Sequence, residues 1–209
     1  LALAQLVNAR FPGRRFVRLA LIVPWAASLI ITAKLFAWIY DYYFGLLNRA
    51  LTAAHLIAQP IDWLGDDRTV MPAMIAVGVF VSLPFTTYVL LAGLQSIGDE
   101  VYEAARVDGA SCWRTYRSVT LPLLRPALLV AAVLNAIYVF NSFPIIWTLN
   151  DRNPGFAHDT LITYMYKIAF KSAQRDVGLA AALSVVNVAV ILVAVLVYLR
   201  TVRWREDGP

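Results

Sequence analysis

The chain has 209 residues, of which 60% are hydrophobic and only 15% charged, with a net charge of +5 and a mean hydropathy of +0.66. So few charges cannot keep a domain of this size dispersed in water, so composition excludes an ordinary soluble domain and indicates a membrane protein. The surplus of cations is then read against the membrane, where Lys and Arg favour cytoplasmic loops, rather than as a nucleic-acid surface.

A hydrocarbon core about 30 Å thick needs roughly 20 apolar residues per helical crossing. The opening "LALAQLV" reads as the tail of a crossing whose beginning is missing, so the chain is expected to be a fragment, and "RFPGRRFVR" follows as a short basic turn. Four full crossings are predicted near Leu19–Tyr40, Val70–Leu94, Leu123–Leu149 and Val177–Leu199, all within one transmembrane domain spanning residues 1–209. Lys34 falls inside the first, where a charge costs about 2.5–3.5 kcal/mol on insertion scales, so it should face a cavity or snorkel.

The connecting loops run Asp41–Thr69, Gln95–Pro122 and Asn150–Asp176. Arg10, Arg14, Arg15, Arg18, Arg106, Arg114, Arg117, Arg125, Arg200, Arg203 and Arg205 fall on one side of the membrane; Arg49, Arg68, Arg152, Lys167, Lys171 and Arg175 fall on the other. The larger set marks the cytoplasm, so the loop 95–122 and the C-terminus should lie inside. In the first outer loop, "DWLGDD" places Trp63 at the membrane edge. In the second, "TLITYMYKIAFKSAQRD" carries Leu161, Tyr164, Met165, Ile168 and Ala169 at helical spacing with basic residues opposite, which fits an amphipathic interfacial helix or a packed connector. His55 and His158 have no ligand-spaced companions, so no metal is expected, and no Ser–His–Asp set suggests catalysis. Cys112 is the only cysteine and reads as a small apolar residue.

The inner loop contains "EAARVDGASCWRTYRSVTLP", Glu103–Pro122. Asp99 can cap a short helix over Glu100–Asp108, and Gly109 can close it in a left-handed conformation. Ser111 can cap a second turn over Cys112–Ser118, and Pro122 suits the first turn of the next crossing. Ala104 and Ala105 leave the first helix thin, so another backbone can come close, and Glu103 offers one acid to a cation on that partner. The plain alternative is a solvated loop with a few helical residues.

This stretch resembles the cytoplasmic signature EAA-x3-G-x9-[I/L]-x-LP of the membrane permeases of binding-protein-dependent ABC importers. Its six matching fixed positions arise by chance on the order of once in ten million starts, at roughly 5–10% usage each. Val119 stands where the pattern has Ile or Leu, and "LNDRNPGFAHDTL" lacks the paired glycines often seen in that outer loop. The wider string from Leu90 to Leu128 resembles the carbohydrate branch, within it the maltose-type first permease of a non-identical pair, and "LIVPWA" and "GLAAALSVVNVAVIL" extend the likeness along the chain.

The resemblance implies an all-α, polytopic helical bundle of the type I ABC importer permease kind with a cytoplasmic coupling helix, in a bacterial or archaeal inner membrane. It implies a second permease subunit completing a heterodimer, two ATPase subunits that bind ATP and Mg, and an extracytoplasmic sugar-binding protein. The chain itself has no GxxxxGK[ST] phosphate loop, so it is expected to be a transport subunit without its own cofactor, not an enzyme. Glu103, Ala104, Ala105, Arg106, Asp108, Gly109, Leu121 and Pro122 would meet the ATPase; for Arg106 and Asp108 a solvated helix face is the alternative.

For a sugar, Asn135, Tyr138 and Ser142 share a predicted helical stripe with Asn141 beside it, and Phe80, Ser82 and Phe85 surround Pro84 as an opposite wall. Polar groups at membrane depth face partners or a water-filled cavity, so helix–helix adhesion is the alternative. A disaccharide such as maltose or trehalose is the expected cargo. An ion-coupled transporter or channel is a competing class, but it calls for acids within the crossings, and none of the four contains Asp or Glu.

Overall fold

The computed structural model describes residues 1–9, 11–151 and 155–206. Arg10 and Arg152, and the side chains of Arg203 and Arg205, lie outside the described residues, as do Asn153 and Pro154 of the second outer loop. In chain order the helices are α1 (Ala2–Asn8), α2 (Arg14–Ala26), α3 (Leu29–Ile39), α4 (Leu46–Ala53), α5 (Val70–Gln95), α6 (Asp99–Val107), α7 (Cys112–Thr115), α8 (Leu121–Leu123), α9 (Arg125–Phe140), α10 (Pro144–Leu149), α11 (Leu161–Tyr166) and α12 (Val177–Glu206). A π-helical turn follows α7 over Tyr116–Thr120, and another follows α11 over Lys167–Lys171. No strand occurs among the described residues, so the all-α expectation holds.

Two expected crossings match single helices, α5 and α12, both long and apolar, and α5 continues through Pro84 without a break. The other two are broken. The first divides into α2 and α3 because Ser28 is extended, at φ −59° and ψ 137°. The third ends at Phe140: Pro144 has no N–H to donate to the carbonyl of that residue, and its ring would collide with it, so α10 starts afresh with Pro144 in its first turn. At the other end of α9, Cys112–Leu123 meets Arg125–Phe140 at a 60° bend, and Pro122 lies in the first turn of the short helix α8 before it.

The chain clusters into two compact units. One comprises Leu1–Trp25, Ser82–Ile137 and the stretch from Val195 onward. Its core is Ala4, Leu90, Leu94, Leu124 and Ala131. There α5 and α9 come close at Gly93, where an added Cβ would collide with the Cβ of Ala127 and lie 2.9 Å from Leu124 Cδ1. Small residues permit such approach where lipid supplies no hydrophobic drive between helices.

The other unit comprises Ala26–Val81 and Tyr138–Ala194. Here α10 packs on α3, and Ala33, Tyr40, Leu64, Met74, Val77, Ile145 and Leu149 form the main core. The loop 41–69 is built round Asn48 on α4, which is 3% exposed. Its Nδ2 donates to Ile61 O (2.9 Å) and Tyr42 O (3.3 Å), while its Oδ1 accepts from Ile61 N (3.2 Å) and Trp63 Nε1 (2.9 Å). Trp63, expected only at a membrane edge, is therefore tied into a folded loop.

Residues 161–171 are a packed connector, with Met165, Ile168 and Ala169 buried against Ala180. Lys167 departs from the amphipathic expectation, because it is buried rather than on an exposed basic face. Asp159 explains the difference, with Oδ2 2.8 Å from Lys167 Nζ.

Candidate functional site

The polar loop 95–122 lies within the first unit. Gly98, extended at ψ 145°, is the N-cap of α6, so Asp99 sits one residue inside the helix and makes no capping bond. Asp99 and Glu100 occupy the first turn and Arg106 the last, each suited to the helix dipole there. At the C-terminus Gly109 has φ +69°. Its N–H donates to Arg106 O and that of Ala110 to Ala105 O, both at 3.0 Å, a complete Schellman closure. Ser111 caps α7, its Oγ accepting from Arg114 N at 3.4 Å.

These local constraints fix which side chains α6 presents. Glu103, Ala104, Arg106, Asp108 and Gly109 are exposed, Ala105 is buried, and Leu121 and Pro122 are half-buried. Arg106 Nε donates to Tyr102 O at 3.4 Å, along its own helix. A groove of about 320 Å³ beside α6 is lined in part by Ala104, Asp108, Arg114 and Val119. Val107 (88% exposed) and Trp113 (69% exposed) add an apolar surface that sequence reading missed. Two apolar side chains inside a loop so rich in charges are the sequence signal that would have pointed to them.

The membrane-depth residues divide between the two units. In the first, Asn135 Nδ2 donates to Thr86 Oγ1 at 2.9 Å, between α9 and α5, and to Ala131 O at 2.8 Å within α9. Ser82 O accepts from Thr86 Oγ1 at 2.8 Å, and Phe85 is half-buried. In the second, Phe80 packs edge-on to Phe36 with centroids 5.1 Å apart, and Tyr138 is 41% exposed. Asn141 and Ser142 follow the end of α9 at Phe140, so Ser142 does not share a helical stripe with Asn135 and Tyr138 as expected. They occupy irregular backbone between α9 and α10. Lys34 is exposed on α3.

The loops 41–69 and 150–176 contribute further polar contacts within the second unit, among them His158 Nε2 2.8 Å from Asp67 Oδ1 and the Lys167–Asp159 pair. Among the described residues no three His, Cys, Asp or Glu side chains converge as metal ligands would.

Comparison with known proteins matches residues 1–205 to the family described as the binding-protein-dependent transport system inner membrane component. A probable ABC transporter permease protein of Brucella suis biovar 1 is 43% identical over 94% of this chain and 68% of its own. The trehalose/maltose transport system permease protein MalF of Thermococcus litoralis is 37% identical over 99% of this chain and 68% of its own. A crystal structure of a bacterial ABC transporter involved in alginate import superposes with a TM-score of 0.84 at 27% identity, over 99% of this chain and 72% of that one. The capped polar loop, the apolar helices and these matches agree: the chain belongs to the binding-protein-dependent transport system inner membrane component family.

Proposed function

We propose that the chain forms one half of the pathway of an ATP-driven importer that takes a sugar from an extracytoplasmic binding protein. A disaccharide of the maltose or trehalose kind is the favoured cargo. A second permease subunit completes the pathway, and two cytoplasmic ATPase subunits bind and hydrolyse ATP with Mg. Support for the cargo comes from the Thermococcus relative's name, and support for a binding protein from a solved alginate transporter in complex with its pentasaccharide-bound periplasmic protein.

The observation that carries the coupling role is the construction of α6. Its Schellman closure at Gly109 makes a rigid, narrow rod, and Glu103 and Ala104 are exposed on it. A rod of that kind seated in an ATPase cleft transmits closure of the ATPase dimer to the attached crossings as a rigid-body switch. Asn141 and Ser142 remain the favoured sugar contacts, since irregular backbone at membrane depth is tolerated where it lines a cavity or is buried in protein. Asn135, bonded to Thr86, is assigned a positioning role in this reading.

Co-purification tests the reading. A Walker-type ATPase should accompany the wild-type chain, and Glu103→Lys should weaken that association and uncouple sugar-stimulated ATP hydrolysis. Full coupling retained in Glu103→Lys would remove Glu103 as the anchor; absence of any ATPase partner would overturn the importer reading.

A further inference from the structure

We propose that a cavity of about 290 Å³ in the second unit, at the end of α10 and beside α11, is a binding subsite for a neutral sugar, separate from the membrane-depth residues. The proposal rests on the importer reading for its substrate class, but its geometry is independent of the coupling loop.

Trp147 forms one wall and is held in place, stacked on Phe143 at 5.5 Å with 14° between the rings and edge-on to Tyr166 at 4.8 Å. Phe156, edge-on to Tyr164 at 5.2 Å, also lines the cavity. Aromatic faces cover the apolar C–H side of a sugar ring at little entropic cost, because their two torsions are already fixed by packing. The polar lining is preorganised as well. Asn150 Nδ2 donates to Asp159 Oδ1 at 3.1 Å and to His158 O at 3.3 Å, and Lys167 Nζ donates to Gly155 O at 2.6 Å.

Asp159 is the informative group. Its side chain is 2% exposed, and Oδ2 lies 2.8 Å from Lys167 Nζ yet accepts no hydrogen bond, so the pair is a charge contact without an aligned donor. The adjoining Lys167 ammonium offsets that buried charge. The charges lining the cavity balance, Asp151 and Asp159 against Lys167 and Lys171, which favours a neutral polyol over an acidic or basic ligand. The volume is at the small end for small-molecule sites, which run from roughly 300 to 1,000 Å³, and suits a mono- or disaccharide.

Ser172, which lines the cavity, supplies a local reporter. Ser172→Cys in a Cys112→Ala background would be placed in the assembled transporter in nanodiscs and its alkylation by a small maleimide followed on this chain by mass. With maltose or trehalose at about tenfold above a millimolar dissociation constant, alkylation should slow roughly tenfold, by simple occupancy. Glucuronate should protect less. Trp147→Ala should abolish protection, whereas Trp25→Ala should leave it. Alkylation unaffected by either sugar overturns the proposal. So does protection by sugar-free binding protein alone, which would make the cavity a protein-docking surface. ATP-driven uptake by the same wild-type assembly judges the importer reading separately: protection without uptake retains the subsite and rejects that reading, and uptake without protection does the reverse.

Discussion

Asn135 on α9 donates its amide to the hydroxyl of Thr86 on α5 at 2.9 Å, joining the two helices. Thr86→Val and Asn135→Leu should each lower thermal stability in nanodiscs by about 0.6 kcal/mol, at most about 1.7 kcal/mol, and the double variant should cost less than their sum. Loss of sugar uptake in Asn135→Leu with no thermal shift, alongside a silent Thr86→Val, would return Asn135 to the transport pathway.

Gly93 sets how closely α5 approaches Ala127 and Leu124. Gly93→Val should therefore destabilise by roughly 1–3 kcal/mol through overpacking. Gly78→Val is the matched control, because an added Cβ there meets nothing within 4 Å. Equal thermal midpoints for the two variants would contradict the close-packing account.

Asn48 organises the first outer loop through both ends of its amide. Asn48→Leu strands the Trp63 indole N–H and the Ile61 amide, at about 1–3 kcal/mol for each unsatisfied group, and should open residues 41–69 to limited proteolysis. Asn48→Asp keeps the acceptor and loses the donors, so its cleavage rate should fall between those of Asn48→Leu and wild type.

Lys167 and Asp159 form a buried pair with side chains 11% and 2% exposed. Lys167→Met leaves the carboxylate uncompensated and should cost about 3–5 kcal/mol, whereas Lys167→Met with Asp159→Leu should recover much of it. Thermal unfolding of the three proteins checks the cycle. A double variant no more stable than Lys167→Met would show that Lys167 acts mainly through Gly155 O and its other contacts.

Cys112 is exposed on the loop 95–122 and is the only cysteine of the chain, so it reports orientation directly. An impermeant maleimide should label it in inverted membrane vesicles and leave it unlabelled in right-side-out ones. The opposite pattern would invert the topology and take the coupling proposal with it.

Where a feature depends on a few neighbouring residues, the order of amino acids sufficed. The long apolar runs of α5 and α12 specify helices because each backbone group in lipid must find its partner within its own segment. Gly109 closes α6 because it adopts φ > 0 without a Cβ clash, and Ser111 caps α7 because a hydroxyl in that place reaches the amide three residues on. The thin, acid-bearing helix at the centre of the functional reading was legible for the same reason.

Features requiring partners distant in the chain were not legible. Nothing near Lys167 announces that Asp159 and Gly155 will receive its ammonium, so its burial looked like an exposed basic face. The partner of Asn135 was not legible because Thr86 is 49 positions away. The break after Phe140 follows from Pro144, yet whether a proline interrupts a crossing or is absorbed, as Pro84 is within α5, depends on neighbouring packing. Local sterics and hydrogen-bond reach write helices and caps into the order of residues; the pairing of buried polar groups is decided by which surfaces meet, and that exists only in the folded chain.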